Sequence, residues 1–261
     1  MKKKNINHFL HMKNKEKIAA LTAYDAVTGQ ICDQNNIDII LVGDSLGMVI
    51  QGHNSTLPVT VDQMVYHTEN VSRGTKNSFI IADMPFGSYI NEYDALKNAV
   101  RLIQAGANMV KMEGGSELAN ITKSMLQNGI PVCAHLGLMP QSINSIGSYS
   151  VQGKEEHKAQ EILEHAELLV SAGAQLLVLE CIPARLAAQI TAKLPIPTIG
   201  IGAGPDTDGQ ILVTHDMLGL TNNNFKFCKS YCNLSPSNAI LNYVSDVKNK
   251  LFPTMEHTLV K

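Results

Sequence analysis

The chain has 261 residues, of which 44% are hydrophobic and 17% charged, with a formal net charge of −2. That composition supports a sizeable core and excludes a disordered chain, while no apolar run reaches the roughly 20 residues needed to cross a bilayer. The balanced charge leaves no basic footprint for nucleic acid or an anionic membrane.

In chain order, the start Met1-Lys2-Lys3-Lys4 is basic like the leading end of an export signal. Asn5 to Lys17 stay polar, however, without the apolar stretch that export requires, so a cytoplasmic protein is expected. The cysteines, Cys32, Cys133, Cys181, Cys228 and Cys232, are odd in number and form no CxxC pair, which predicts reduced thiols. Short apolar runs then recur at 18–23, 39–42, 79–82, 109–112, 131–134, 176–179 and 197–201, with a candidate eighth at 210–213. Most are apolar at every position, the pattern of strands covered on both faces in a parallel sheet.

Helical patterns separate these runs. Asn91 caps one, with Asp94 three residues on and Tyr93, Leu96, Val100 and Ile103 spaced by three and four before Gly106 ends it. A second runs from about 154 to 173, with Ile162, Ala166, Leu169 and Val170 on one face, and shorter ones follow Val61, Ser116 and Pro183. After a polar turn at 221–224, residues 237–251 form an amphipathic helix, read as a tail of about 220–261 appended to a barrel or sheet of about 18–219. The whole is one domain. Strand–helix alternation fits either a (β/α)₈ barrel or a doubly wound open sheet.

The informative feature is how the strands end. The run 39–42 leads into Gly43-Asp44-Ser45, the run at 79 into Asp83, and 109–110 into Lys111-Met112-Glu113. The next two lead into His135 and Glu180. Five consecutive strands thus deliver an ionisable residue to the carboxyl edge, where parallel α/β folds place their sites. Lys111 and Glu113, two apart, project together. Cys181, next to Glu180, is expected to point the opposite way. Cys133 shares a side with His135 and reads as packing beneath the rim rather than as a nucleophile.

Asp44, Asp83 and Glu113 would repel one another unless a cation neutralises them. An all-oxygen ligand set favours a hard divalent ion, with Mg²⁺ the natural candidate, holding open positions for substrate oxygens. Lys111 beside it suits a substrate carboxylate or phosphate. Glu180, on a very apolar strand, suits a general base. Together these fit proton abstraction beside the carbonyl of an oxo acid.

Other motifs carry less. Gly200-Ile201-Gly202-Ala203-Gly204 is followed by Pro205 where a dinucleotide fingerprint needs its third glycine, so that match fails. Lys226 and Lys229 with Phe225, Phe227 and Tyr231 read as a buried helix or hairpin face rather than a nucleic-acid patch.

Several longer runs carry a resemblance: 41–48 (LVGDSLGM), 51–53 (QGH), 55–60 (STLPVT), 106–115 (GANMVKMEGG), 135–138 (HLGL), 177–181 (LVLEC), 200–204 (GIGAG) and 207–210 (TDGQ). Over about residues 18–220 the chain resembles the ketopantoate hydroxymethyltransferase family. The resemblance implies a (β/α)₈ TIM barrel of the phosphoenolpyruvate/pyruvate type with a C-terminal helical extension. It also implies transfer of a hydroxymethyl group from 5,10-methylenetetrahydrofolate to 3-methyl-2-oxobutanoate in pantothenate synthesis. By the same resemblance, Asp44, Asp83 and Glu113 serve one Mg²⁺, and Asp44, Ser45, Asp83 and Lys111 hold the oxo acid. His135 lines the site, Glu180 accepts the proton, and the subunits assemble as a decamer. The chain departs from the family pattern at Met139, at Ser148 and at Asn222-Asn223-Asn224-Phe225, none of them an expected site residue. The alternative is a Mg²⁺-dependent lyase or mutase of the same barrel superfamily. Such lyases often use a cysteine on a mobile loop, and none of the five lies in an obvious lid.

Overall fold

The computed structural model describes residues 3–260; Met1 and Lys2, which open the basic start, and Lys261 lie outside the described residues. Eight parallel strands form a closed barrel in sequence order, so the barrel, not the open sheet, is the architecture. They are β1 (Ile18–Thr22), β2 (Ile39–Val42), β3 (Phe79–Asp83), β4 (Met109–Glu113), β5 (Val132–Gly137), β6 (Leu176–Glu180), β7 (Thr198–Ile201) and β8 (Gly209–Leu212). Each lies within a few residues of its predicted run, and β8 pairs back onto β1 through Ile18 and Gly209.

Helix α1 (Ile6–Met12) precedes the barrel, and α2 (Ala26–Gln34) follows β1. Helices α3 (Leu46–Val49) and α4 (Val61–Gly74) follow β2, α5 (Glu92–Gln104) follows β3, and α6 (Ala119–Gln127) follows β4. Then come α7 (Ile143–Ile146) and α8 (Glu156–Ala172) after β5, and α9 (Ala184–Lys193) after β6. Finally α10 (Thr214–Met217) and α11 (Pro236–Lys248) follow β8. Asn91 caps α5, its side chain accepting from Asp94 N as expected. The helix after Val61 is longer than its pattern suggested, at 14 residues, because Thr60 and Gln63 close a capping box at its start. Neither α1 nor α2 was predicted; at 7 and 9 residues they are too short for a clear 3.6-residue period.

The strands are buried on both faces, and alternation sorts their residues. Outward-facing Ile80, Ala82, Val110, Met112, Ala134, Leu177 and Leu179 pack beneath the helices. Inward-facing Ile18, Ile39, Phe79, Ile81, Met109, Cys133, Leu176 and Val178 fill the barrel. Helix α1 seals the amino-terminal end by inserting Phe9 and Met12 into that inner cluster, the Phe9 ring edge-on to Phe79 at 5.3 Å. The C-terminal helix belongs to the wall: α11 packs on β1 and α2. Its buried Tyr243 hydroxyl lies 3.0 Å from both the Ala20 and Gln210 carbonyls, across the seam where the barrel closes.

Candidate active site

The inward parity that fills the barrel with apolar side chains continues upward into polar ones. Phe79 and Ile81 are followed by Asp83, Met109 by Lys111 and Glu113, Cys133 by His135, and Leu176 and Val178 by Glu180. Strand register then sets the neighbours, pairing Asp83 with Lys111 and Glu113 with His135. The stagger thus interleaves acids with bases at one rim.

The contacts follow. Lys111 Nζ lies 2.6 Å from Asp83 Oδ1 and 3.4 Å from Glu113 Oε1. His135 Nδ1 lies 3.1 Å from Glu113 Oε1, and its Nε2 reaches to 3.3 Å from Glu180 Oε2, too poorly aligned for a hydrogen bond. The backbone N–H of Asp44 donates to Asp83 Oδ2 at 3.0 Å. A side chain at Gly43 would crowd Ser45, since a Cβ there would stand 2.7 Å from Ser45 Oγ. Ser45 in turn lies 2.9 Å from the hydroxyl of buried Tyr24.

All seven predicted residues, Ser45 among them, therefore converge on one cavity of about 720 Å³ at the carboxyl end of the barrel. Gln141, which the sequence reading missed, ties them together. Its side-chain amide donates to Asp44 Oδ2 at 2.8 Å and to the Met84 carbonyl, and its backbone N–H donates to Glu113 Oε2 at 3.0 Å. Its Oε1 accepts from the Tyr89 hydroxyl. Nothing local marks Gln141, since it lies beyond a strand end in the short turn Pro140–Ser142.

Charge at the site is uneven. Burial and the neighbouring Asp83 and Glu113 carboxylates hold the Asp44 carboxyl well above its usual range. Glu113 is held down to about 2: burial opposes its charge, but Lys111 and His135 outweigh it. His135 is raised to about 9; burial and Lys111 oppose its charge, and contacts with Glu113 and Glu180 prevail. The imidazole is therefore a cation at neutral pH, standing between two carboxylates.

Two expectations are corrected. Cys181 does not turn away from the site: its φ of 48° breaks the strand alternation, and the thiol lines the cavity beside Gly202. The segment at 225–227 is neither helix nor hairpin. It is an irregular turn whose Phe225 and Phe227 rings stack 5.1 Å apart on the cavity rim, while only Tyr231 is buried. Cys133 packs inside the barrel as expected, burial raising its thiol to about 12, and all five cysteines are unpaired.

The fit to a metal rests on the donor set. Among the described residues no three His, Cys, Asp or Glu side chains are already disposed as metal ligands. Glu113 has both oxygens engaged by donors, and the Lys111 ammonium stands between it and Asp83. Even so, among the rim side chains in mutual contact the four carboxylates Asp44, Asp83, Glu113 and Glu180 outnumber the two bases Lys111 and His135. An all-oxygen donor set with that excess suits one hard divalent ion.

Comparison with known proteins bears on the fold and the family. Among solved structures, phosphoenolpyruvate phosphomutase from Streptomyces platensis superposes with a TM-score of 0.61 at 12% identity, covering 82% of each chain. 2,3-Dimethylmalate lyase gives 0.62 at 15% identity, also covering 82% of each. At that identity they establish the barrel fold alone. Sequence relatives reach further. The 3-methyl-2-oxobutanoate hydroxymethyltransferase of Marinobacter nauticus is 52% identical over 97% of both chains. That of Shewanella loihica is 54% identical over 93% of both, and that of Colwellia psychrerythraea 54% over 95% of this chain and 96% of the relative. The family model described as ketopantoate hydroxymethyltransferase matches residues 3–255. With a closed barrel, a rim of paired acids and bases, and relatives matched nearly end to end, the chain belongs to the ketopantoate hydroxymethyltransferase family.

Proposed function

We propose that this rim transfers a hydroxymethyl group from 5,10-methylenetetrahydrofolate to 3-methyl-2-oxobutanoate, giving 2-dehydropantoate for pantothenate synthesis, with Glu180 as the base. One observation carries the choice. Asp44, Asp83 and Glu113 each accept a well-aligned hydrogen bond, whereas Glu180 meets only the His135 imidazole, at 3.3 Å and out of line, and keeps 19% of its side chain open to the cavity. It is the carboxylate free to take a proton.

Asp44 and Asp83 would hold one Mg²⁺ per subunit, with Glu113 behind them acting through its hydrogen-bonded neighbours. When bound, that ion supplies Lewis-acid charge to the 2-oxo and carboxylate oxygens. The ammonium of Lys111 and the hydroxyl of Ser45 bind the substrate carboxylate. Glu180 removes the proton from C3, and the His135 imidazole, 3.3 Å from its Oε2, fixes the position of that carboxylate by charge. The C3 carbanion equivalent forms its new bond to the one-carbon unit of the donor. The donor's two carbon–nitrogen bonds break, water supplies the hydroxyl group, and the proton held by Glu180 with the second proton of that water passes to the nitrogens of the departing tetrahydrofolate.

Replacing Glu180→Gln is expected to abolish C3–H exchange of the oxo acid in deuterated water while leaving its binding nearly intact; undiminished exchange would remove Glu180 from the role. The lyase or mutase reading is not favoured, because its support is fold likeness at 12–15% identity. The relatives at 52–54% identity carry the transferase name.

We also infer a cytoplasmic homodecamer. Unpaired cysteines and the lack, among described residues, of a helix long and apolar enough to cross a membrane support the location. Exposed Tyr66, Ile90 and Tyr93 on and beside α4 and α5 support assembly. Light scattering that gave the mass of one chain would refute the decamer.

A further inference from the structure

The cavity is much larger than the oxo acid. 3-Methyl-2-oxobutanoate has eight non-hydrogen atoms, which at about a water's 30 Å³ each fill at most about 240 Å³. The cavity holds about 720 Å³. About two thirds of the space is therefore left beyond the oxo acid, and part of its wall differs in chemistry from the acidic rim. On one side stand Phe225 and Phe227, their rings 5.1 Å apart and within 10° of parallel. Phe225 leaves 40% of its surface exposed. Lys226 sits between them in the chain, and Lys154 lines the cavity from the segment leading into α8. Both lysines are exposed, and neither makes an ion pair among the described residues. Asp216 anchors this wall, its Oδ1 accepting from Asn223 Nδ2 at 3.1 Å and from the Thr221 hydroxyl.

We propose that the 225–227 turn with Lys154 is the seat of the one-carbon donor, a molecule with a flat heteroaromatic head and a carboxylate-bearing tail. The head stacks on the Phe225/Phe227 pair, and the tail carboxylates meet Lys226 and Lys154. A flat ring system stacks on aromatic faces with little dependence on its own substituents. Exposed lysines attract carboxylates at the cavity mouth, where screening keeps the contact reversible. The seat lines the same cavity as the acids, so a donor held there presents its carbon to a substrate held at the rim. This rests on the reaction proposed above and adds the residues that choose its second substrate.

The test separates the two. C3–H exchange of the oxo acid needs no donor, whereas turnover needs both substrates. Phe225→Leu and Phe227→Leu keep apolar bulk and remove the flat faces; Lys154→Ala with Lys226→Ala removes the charges. Each leucine variant is expected to raise KM for methylenetetrahydrofolate about tenfold, the order of loss for an unstacked ring, with KM for the oxo acid steady. The double alanine variant should weaken the intact donor more than a tetrahydropterin donor lacking the glutamate tail. Unchanged donor KM in all variants, with exchange intact, would overturn the seat and leave the reaction standing. Loss of exchange alongside donor affinity would also overturn it, placing these residues with the oxo acid or the fold. Absence of exchange in the unmodified protein would overturn the reaction and the seat together.

Discussion

Asp83 and Lys111 meet because β3 and β4 run in parallel with those residues in register, and Glu113 meets His135 for the same reason one strand further on. Asp83 with Lys111 and Glu113 with His135 are thus paired across adjacent strands, which offsets the cost of burying them, while Asp44 is held by Gln141 instead. Gln141 has no charge, yet it links Asp44, Glu113 and Tyr89. Gln141→Ala leaves the Asp44 carboxyl without its donor and frees that side chain to turn. Supporting residues of this kind typically cost 10–100-fold when removed. A loss of about that size in Mg²⁺ affinity, read by calorimetric titration in the absence of substrate, is expected, with thermal unfolding little changed. An unaltered metal affinity would limit Gln141 to packing.

At the scale of elements, short pieces close the barrel at its weak points. Asp33, near the end of α2, accepts from the backbone N–H groups of Asn77 and Ser78 at 2.8 and 2.7 Å and from Asn77 Nδ2 at 3.0 Å, pinning the entry to β3. Burial disfavours its charge, but these donors prevail and hold its carboxyl below the usual range. The folded carboxyl titrates lower than the unfolded one, near 3.9. Its contribution is therefore fully present above about pH 4 and lost as pH falls through the folded value. Asp33→Ala is expected to cost about 1–3 kcal/mol at pH 7 and to flatten the acid limb of urea-unfolding free energy against pH. Helix α1 works at the other end. Phe9→Ala would open a cavity beside Phe79 and cost about 3–5 kcal/mol, measured by the same denaturant titration.

For the whole molecule, the barrel divides along its axis. Its lower half is an apolar plug of Phe9, Phe79, Met109 and Leu176, and its upper half is a charged mouth. The plug gives the rim strands a rigid base, so acids that repel one another are held in place rather than drifting apart. The excess of carboxylates over bases at the rim makes the folded state sensitive to divalent ions. Adding millimolar Mg²⁺ is expected to raise the unfolding temperature and EDTA to reverse it, as binding to the native state alone requires. Scanning fluorimetry showing no shift with either would argue against a resident ion.

Strand positions, the parallel arrangement and the identities of Asp44, Asp83, Lys111, Glu113, His135 and Glu180 as rim residues were legible in the chain itself. Uniformly apolar runs ending in an ionisable residue are a local pattern, and alternation along a strand is a property of the backbone. Closure into a barrel was implied by the family resemblance but not by the periodicity, while the pairing of Asp83 with Lys111, the grip of Gln141 on Asp44 and the inward turn of Cys181 were decided only by the tertiary structure. Each depends on stagger between strands, on a loop returning over the mouth, or on one residue leaving the extended conformation. None of these leaves a period in the sequence, because each is fixed by packing between segments tens of residues apart.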